Sequence, residues 1–280
     1  MAENRKDNGV RCCILDPTGN ITALVESPVP AAEQPAAAAA IMARHPQVEQ
    51  VGFLRFPAFD PEVQAELLMA GGEFCGNASM SAAALCLLRG GIIAERPATV
   101  KLRVSGAARP VSVTLRSTAE NCFAATVEMP PAIEIAERDF SFGTLRDRLR
   151  LVRMEGISHL LIPQKSCFFA LKQDPASAEK AVRSWCAALE AEGLGLMFLE
   201  GEPPKFRLTP LVYIPGSDTV FWENSCASGS SAVGMALATE RQTAIELTLE
   251  EPGGSLRVES DPASGRTLLH GAVRLLEESV

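Results

Sequence analysis

Two stretches of this chain decide its fold: E-F-C-G-N-A-S at residues 73–79 and E-N-S-C-A-S-G-S-S at residues 223–231. Each stretch places a cysteine, Cys75 or Cys226, directly before small residues that lead into an apolar segment rich in alanine and serine. Such a segment is typical of a buried helix. The recurrence of one pattern in both parts of the chain therefore predicts two related halves, each with a helix that begins beside a cysteine.

The segments around these two helices alternate apolar and polar residues, as half-buried antiparallel strands do. Val111–Arg116 and Phe123–Glu128 are clear examples, and Met129-Pro130-Pro131 interrupts the alternation as a candidate domain boundary. The pattern favours an α+β protein of two halves with a cleft between them. We predict four helices, with Asn77 as the N-cap of the second: Ala32–Arg44, Gly76–Arg89, Ala176–Glu192 and Gly229–Arg241.

The bulk composition is that of a globular protein. The 280 residues carry a formal net charge of −8, with 47% hydrophobic and 21% charged residues. Such an acidic chain lacks the basic face that nucleic acid binding needs, so nucleic acid is not an expected partner. The N-terminal segment MAENRKDNGV is polar, unlike a signal peptide, and no apolar run reaches the roughly 18 residues of a transmembrane helix. We therefore expect a cytoplasmic protein that does not bind a membrane.

Eight cysteines are too few for a disulfide scaffold in a chain of this length, and none forms a CxxC pair. Cys75 and Cys226 are the candidate functional thiols because glycine, serine and asparagine flank them. The other six lie in apolar segments, where free cysteine packs as a small apolar residue. They are Cys12, Cys13, Cys86, Cys122, Cys167 and Cys186.

Two thiols that face each other across one carbon atom can remove a proton from one side and return it on the other. That is the chemistry of a cofactor-independent amino-acid racemase or epimerase. Removal of an α-proton builds negative charge on the substrate carboxylate, which helix N-termini stabilise through free N–H groups. The same termini are expected to lower the pKa of each thiol. No metal site is expected, since the three histidines show no ligand spacing.

Both motifs resemble those of the diaminopimelate epimerase superfamily, whose CGNG and CGTG motifs each open the central helix of one domain. Cys75-Gly76-Asn77-Ala78 is similar to the first motif and Cys226-Ala227-Ser228-Gly229 to the second. Thr18-Gly19-Asn20 resembles the early segment whose Asn binds substrate, and Pro252-Gly253-Gly254-Ser255 resembles a turn near the C-terminus of the family.

This resemblance implies two pseudo-symmetric α+β domains with the active site in the cleft between them. Each domain would be a mainly antiparallel β-barrel or roll around a central helix. The first would cover residues 1–130 plus 268–280, and the second would cover residues 131–267.

The chain departs from diaminopimelate epimerases in two places. Those enzymes have a Tyr-Glu-Arg-Gly stretch before the second cysteine, and its Arg binds the distal carboxylate of the substrate. Here the stretch reads Val212-Tyr213-Ile214-Pro215, without Arg. The Arg that follows the first motif is also absent, since Ser79-Met80-Ser81 stands there. Both departures disfavour a substrate with a second carboxylate.

Longer strings resemble the histidine racemase branch of the superfamily, which serves the biosynthesis of staphylopine-type opine metallophores. They are Glu49-Gln50-Val51-Gly52-Phe53, Glu73-Phe74-Cys75-Gly76-Asn77-Ala78, Tyr213-Ile214-Pro215 and Trp222-Glu223-Asn224-Ser225-Cys226. The resemblance implies interconversion of L- and D-histidine without a cofactor, with Cys75 and Cys226 as the two bases. It implies substrate contacts by Asn20, Glu49, Gln50, Gly76, Asn77, Ala227 and Ser228.

Several alternatives stay open at this point. The chain could be a diaminopimelate epimerase or a racemase of another amino acid, whereas phenazine-type isomerases fit poorly because they lack the cysteine pair. Non-enzymatic alternatives are a thiol redox or metal-storage protein and a protein that only binds an amino acid. The oligomeric state is open, with a homodimer as one option.

Four further residues have both a structural and a functional interpretation. His159 and Trp222 are expected either to pack in the core or to line the cleft. Glu73 and Glu223 either act in the site or stand as favourable charges near a helix N-terminus.

Overall fold

Strands make up most of the structure, a computed structural model that describes residues 11–57, 62–92 and 96–278. The polar N-terminal segment, residues 1–10, lies outside the described residues. The strands are β1 (Cys12–Pro17), β2 (Thr22–Val25), β3 (Gln50–Arg55), β4 (Ala65–Met69), β5 (Ala98–Val104), β6 (Val111–Ala119), β7 (Cys122–Met129), β8 (Glu134–Phe142), β9 (Leu145–Met154), β10 (Ile157–Pro163), β11 (Leu194–Glu202), β12 (Lys205–Ile214), β13 (Thr219–Trp222), β14 (Ile245–Glu251), β15 (Gly254–Asp261) and β16 (Arg266–Glu278).

The helices lie between the strands along the chain. The α-helices are α1 (Gln34–Arg44), α2 (Gly76–Arg89), α3 (Pro175–Ala188) and α4 (Ala227–Arg241), and 3-10 helices cover Ala31–Glu33 and Cys167–Gln173. The predicted α+β class is confirmed. Within the described ranges, no helix has the length and apolar character needed to cross a membrane.

The C-terminal strand β16 joins the two parts of the sheet. Strands β1 to β7 follow one another across the sheet, β7 then pairs with β16, and β16 pairs with β15. The later part of β16 also pairs with β1, from Val273 opposite Pro17 to Glu278 opposite Cys13. This last pairing closes β1 to β7 and β16 into a ring. Helix α2 contacts strands around that ring, from β1 and β2 to β7 and β16, so strands enclose it.

The order of strand pairings in the first half recurs in the second. The parallel pairs are β2 with β3 and β4 with β5 in the first half, and β10 with β11 and β12 with β14 in the second. Helices α1, α2, α3 and α4 bridge these pairs in turn, as crossovers between parallel strands require. Antiparallel pairs connect the units in both halves. Strand β5 therefore corresponds to β14, and helix α2 corresponds to α4.

Three local features differ from the sequence-based expectation. Strand β8 was not predicted, because none of its side chains is fully buried and its sequence therefore lacks a pattern of alternating buried residues. It is an edge strand that pairs only with β9 among the described strands. Helix α3 ends at Ala188 instead of Glu192, since Glu190 takes the left-handed conformation (φ 50°) that ends helices. The prediction that Cys167 packs in the core is wrong, because Cys167 is exposed in a 3-10 helix that Ser166 caps.

Small side chains allow α2 and α4 to be central helices. Eleven of the 14 residues of α2 and eleven of the 15 residues of α4 are buried, which no surface helix shows. One hydrophobic cluster contains residues of both helices and strands of both halves. Gly234 in α4 marks a close approach, since a Cβ at this position would overlap Cγ1 of Val258 in β15.

We expect Gly234→Leu to lower the free energy of unfolding by about 1–3 kcal/mol, because the new side chain must displace the stiff Val258 side chain. Urea denaturation followed by tryptophan fluorescence measures the change. Thr239→Leu, on the exposed side of the same helix, is the control and should stay within about 0.5 kcal/mol of the wild type. Equal effects of the two changes would contradict close packing at Gly234.

Candidate active site

The two central helices begin next to each other. Cys75 is the N-cap of α2 and Cys226 is the N-cap of α4. A Cβ at Gly76 would lie 2.9 Å from Cβ of Ala227, so the first turns are in contact. Asn77 donates from Nδ2 to the carbonyl oxygen of Ser225 at 3.0 Å, which ties one helix start to the segment before the other. The prediction of Asn77 as N-cap is therefore wrong, because its amide serves this link instead.

A cavity of about 340 Å³ lies at this junction. All the residues that the sequence analysis assigned to the site line it. They are Asn20, Glu49, Gln50, Cys75, Gly76, Asn77, Cys226, Ala227 and Ser228. Helix α1 contributes an apolar wall through Pro35, Ala38, Ala39 and Met42, and the second half contributes another through Ile157, Val212, Ile214 and Phe221. The cavity thus draws residues from both halves of the chain.

The thiol of Cys75 makes two hydrogen bonds to neutral groups. Its Sγ donates to Oε1 of Gln50 at 3.0 Å and accepts the N–H of Ala78 at 3.3 Å. Gln50 in turn donates from Nε2 to Oγ1 of Thr22 at 2.7 Å, which fixes the orientation of its amide. The side chain of Cys75 thereby caps α2 itself.

Carboxyl groups surround the thiol of Cys226. Glu251, at the end of β14, accepts the N–H of Cys226 at 2.6 Å and the hydroxyl of Ser230 at 2.5 Å. Glu223 lies on the cavity side and interacts with the thiol directly. Sequence reasoning did not assign Glu251, although it directly precedes the Pro-Gly-Gly turn that carries part of the family resemblance.

Burial dominates the ionisation of both thiols. Burial raises the pKa of Cys75 to about 12, and Glu223 and Glu73 add to the rise while the Ala78 N–H and the Gln50 amide oppose it. Burial also raises the pKa of Cys226 well above the ordinary thiol value, and Glu223 and Glu251 raise it further. The helix N–H groups act in the expected direction, since those of Ala78 and Gly229 lower the two thiol pKa values, but loss of hydration outweighs them and the net pKa of each thiol is raised.

The charged groups of the cavity wall are all acidic. Glu49, Glu73 and Glu223 line it, and burial raises the pKa of each carboxyl. Glu49 accepts hydrogen bonds from Nδ2 of Asn20 at 2.8 Å, from the backbone N–H of Asn224 at 3.2 Å and from the side-chain amide of Asn224. Among the described residues that line the cavity there is no lysine, arginine or histidine. This wall suits a cationic group and offers no ion-pair partner to a second carboxylate.

His159 and Trp222 belong to the core and not to the described cavity lining. His159 is fully buried beside Gly195, and burial lowers its pKa to about 3, so it is neutral. Trp222 stacks on Phe198 with ring centroids 5.7 Å apart. For both residues, the structure therefore supports the packing role and not the alternative of lining the cleft. Glu73 and Glu223 do line the cavity, which favours their functional interpretation.

Known proteins are similar to this chain in sequence and in fold. The family model described as histidine racemase CntK N-terminal domain matches residues 10–275. A histidine racemase of Staphylococcus aureus is 31% identical over 247 residues, which cover 88% of this chain and 86% of that protein. A histidine racemase of Fusobacterium nucleatum is 30% identical over 230 residues, covering 80% of this chain and 79% of that protein.

The fold is also similar to that of solved structures. A probable proline racemase from Agrobacterium radiobacter K84 superposes with a TM-score of 0.70 at 16% identity. The match covers 97% of this chain and 92% of that one. The chain therefore has a proline racemase-like fold.

We expect Asn77→Ala to lower the free energy of unfolding by about 1–3 kcal/mol, because a buried carbonyl loses its donor at the junction of the two helices. Chemical denaturation measures the loss. Ser81→Ala is the matched control, since Ser81 is buried in the same helix and its Oγ has no hydrogen-bond partner within the described chain. A loss for Ser81→Ala as large as that for Asn77→Ala would contradict the special role of the link.

We expect Glu251→Gln to change how stability depends on pH. Burial raises the pKa of Glu251 from 4.5 to about 8. Above pH 4.5 the unfolded chain therefore releases a proton that the folded chain retains, so this group makes the free energy of unfolding fall as pH rises towards 8. The slope is at most about 1.4 kcal/mol per pH unit. Glu251→Gln lacks this titrating group, so its free energy of unfolding should equal that of the wild type near pH 4.5 and exceed it at pH 8.

Urea denaturation at several pH values measures the difference between the two proteins. The control is Glu250→Gln, which removes a surface carboxyl paired with Lys205 and should show no such trend. A constant difference between Glu251→Gln and the wild type across this pH range would contradict a raised pKa at Glu251.

Proposed function

The chain belongs to the histidine racemase family, and from this premise we propose that Cys75 and Cys226 are the base and acid that interconvert L- and D-histidine. The observation that carries the proposal is the meeting of two helix N-termini, each with a cysteine as its N-cap residue, on one cavity. Membership of this family identifies the protein as an isomerase. The geometry of the cavity supports the roles proposed for Cys75 and Cys226.

The reaction needs one thiolate and one thiol on opposite faces of the α-carbon. The thiolate takes the α-proton, so that an S–H bond forms while the C–H bond breaks, and the electron pair moves into the carboxylate as an enediolate. The opposite thiol then gives its proton to the α-carbon, and its own S–H electrons remain on sulfur. The product has inverted configuration, and the two cysteines have exchanged protonation states.

The substrate carboxylate is proposed to lie at the helix junction. Gly76, Asn77, Ala227 and Ser228 occupy the first turns of α2 and α4 and line the cavity. The first N–H groups of a helix lack intrahelical partners and are directed at anions, so two helix ends together stabilise an enediolate more strongly than the ground-state carboxylate. The small side chains permit close approach of the substrate to the backbone.

The raised thiol pKa values fit proton abstraction from a weakly acidic carbon. A thiolate whose conjugate acid has a high pKa is a stronger base, but it is formed less readily. The positive ammonium group of an amino acid would favour the thiolate when both are buried in the same cavity, since opposite charges attract more strongly where water is excluded. Substrate binding would thereby offset part of the burial effect.

The acidic wall supports histidine over a dicarboxylic amino acid. A second carboxylate would meet Glu49, Glu73 or Glu223 instead of a cation, whereas an imidazole offers N–H donors to these carboxyls. Glu49 is our candidate for contact with the polar side chain of the substrate. Asn20, which donates to Glu49, and Gln50, which accepts from Cys75, would hold this wall and the thiol in place.

The finer architecture is proposed on the same basis. We assign residues 1–130 plus 268–280 to one domain and residues 131–267 to another, each a mainly antiparallel barrel or roll around α2 or α4. The recurring order of strand pairings supports this division. The site would then lie in the cleft between the domains.

We expect the protein to exchange the α-proton of L- and D-histidine for deuterium in D2O under reducing conditions, without added cofactor. NMR of the α-proton measures this exchange. Diaminopimelate should not exchange. Exchange of diaminopimelate but not histidine would favour the epimerase alternative, and no exchange with any amino acid would favour a binding or redox protein.

We expect Cys75→Ser and Cys226→Ser each to lower the rate of racemisation by roughly 10³-fold or more, because a serine hydroxyl is a far weaker acid and its alkoxide is not formed at neutral pH. Polarimetry or chiral chromatography measures the rate. Cys167→Ser, at an exposed thiol far from the cavity lining, is the control and should keep full activity. Normal turnover in either cavity variant would refute the two-thiol mechanism.

A further inference from the structure

The two helix starts differ in one buried carboxyl group. Ser79 and Ser230 occupy the same position, four residues after the cysteine of each helix. Ser79 donates its hydroxyl to the carbonyl oxygen of Cys75 at 2.7 Å, whereas Ser230 donates to the carboxyl group of Glu251 at 2.5 Å. That carboxyl also accepts the N–H of Cys226. A carboxyl group therefore occupies the start of α4, in direct contact with the backbone of Cys226.

The corresponding strand of the first half ends on an apolar residue. Glu251 ends β14, and β14 corresponds to β5, which ends at Val104. Val104 is buried and packs in the hydrophobic cluster around α2. The repeated fold therefore does not require a carboxyl group at this place.

A buried carboxyl is also a costly way to cap a helix. Glu251 is only 8% exposed, and a neutral serine or asparagine would satisfy the same N–H group without a buried charge. The family resemblance assigns no role to this residue. Its position points to an effect on the neighbouring thiol.

We propose that Glu251 makes the two thiols unequal: it disfavours the thiolate of Cys226, so that Cys75 is the thiol that ionises more readily when substrate binds. This inference rests on the two-thiol reaction proposed above. The enzyme would then favour deprotonation of the enantiomer that presents its α-proton to Cys75. After one turnover Cys75 carries the proton and Cys226 is the thiolate beside Glu251, so repulsion between these charges favours return of a proton to Cys226.

The groups around Glu251 are consistent with this direction. The titratable groups that face it are Cys226 and Glu223, and Glu49 and Glu73 act on Glu223 from the other part of the cavity wall. All are acidic, so none neutralises Glu251. Because the pKa of Glu251 is raised to about 8, its charge and its effect on Cys226 should grow as pH rises through that value.

The test is the rate of iodoacetamide alkylation of each thiol, quantified by mass spectrometry of the Cys75 and Cys226 peptides between pH 6 and pH 10. Only thiolates react, and Cys226 is less exposed than Cys75, so the change of the rate ratio with pH and between variants reports the difference in their ionisation. We expect Cys75 to react faster, with a ratio that rises through about pH 8. In Glu251→Gln the ratio should fall by about tenfold at pH 9, as expected for the loss of one charge beside a thiol.

Two variants separate charge from structure. Glutamine can accept the Cys226 N–H and donate to Ser230, so Glu251→Gln retains both hydrogen bonds. Ser230→Ala removes one hydrogen bond but keeps the carboxyl group. Because the Ser230 hydroxyl lowers the pKa of Glu251, the ratio in this variant should still rise with pH, but at a higher pH than in the wild type. Glu250→Gln, the surface control in the same strand, should keep the wild-type ratio.

The proposal is overturned if Cys226 is alkylated faster in the wild type, if Glu251→Gln leaves the ratio unchanged, or if Ser230→Ala abolishes the rise of the ratio with pH. Circular dichroism verifies that each variant is folded. Alkylation does not require turnover, so its outcome is independent of the exchange assay. Failure of histidine exchange in the wild type would count against the proposed function, whereas failure of the alkylation ratio would count against the role of Glu251 alone.

Discussion

The contact between the first turns of α2 and α4 is the constraint on which the rest of the structure depends. Helix ends rarely pack directly against each other, because the N–H groups at their N-termini are unpaired and carry partial charges of the same sign. Here Gly76 and Ala227 are small enough for contact, and Asn77 bridges to Ser225 across the junction. The first N–H groups of each helix have no intrahelical partner, which is the physical reason for the carboxylate site proposed at this junction.

Closure of the strands around α2 explains how this contact is held. The C-terminal strand pairs with β15 and β7 along its first part and with β7 and β1 along its second. One strand therefore links both halves, and the hydrophobic cluster continues from one central helix to the other. A packed junction of this kind would hold the two proposed catalytic thiols in place before the substrate arrives, which is where much of the catalytic advantage of an enzyme originates.

Burial and helix termini act on the thiols in opposite directions. The helix N–H groups favour thiolates, but removal from water and the nearby carboxyls favour thiols and dominate in this structure. A strong base that forms only when a cationic substrate is bound suits a reaction at a weakly acidic carbon. The acidic wall therefore has two consequences, since it attracts the substrate cation and keeps the thiols protonated in its absence.

The sequence by itself determined the local features of this protein. The two cysteine motifs, the bounds of α2, the α+β class and nine of the residues that line the cavity follow from periodicity, small-residue runs and family strings, because these are properties of neighbouring residues. The apolar walls from α1 and from the second half were not predicted. The edge strand β8 escaped notice because it lacks a buried face, and the N-cap of α2 was misassigned because Asn77 has a partner 148 residues away. Only the tertiary structure decided that Glu251 accepts the N–H of Cys226, whereas the corresponding strand of the first half ends at Val104. Only the tertiary structure decided that burial raises the pKa of both thiols. Burial, distance and charge proximity arise from packing between segments far apart in the chain, and no local pattern records them.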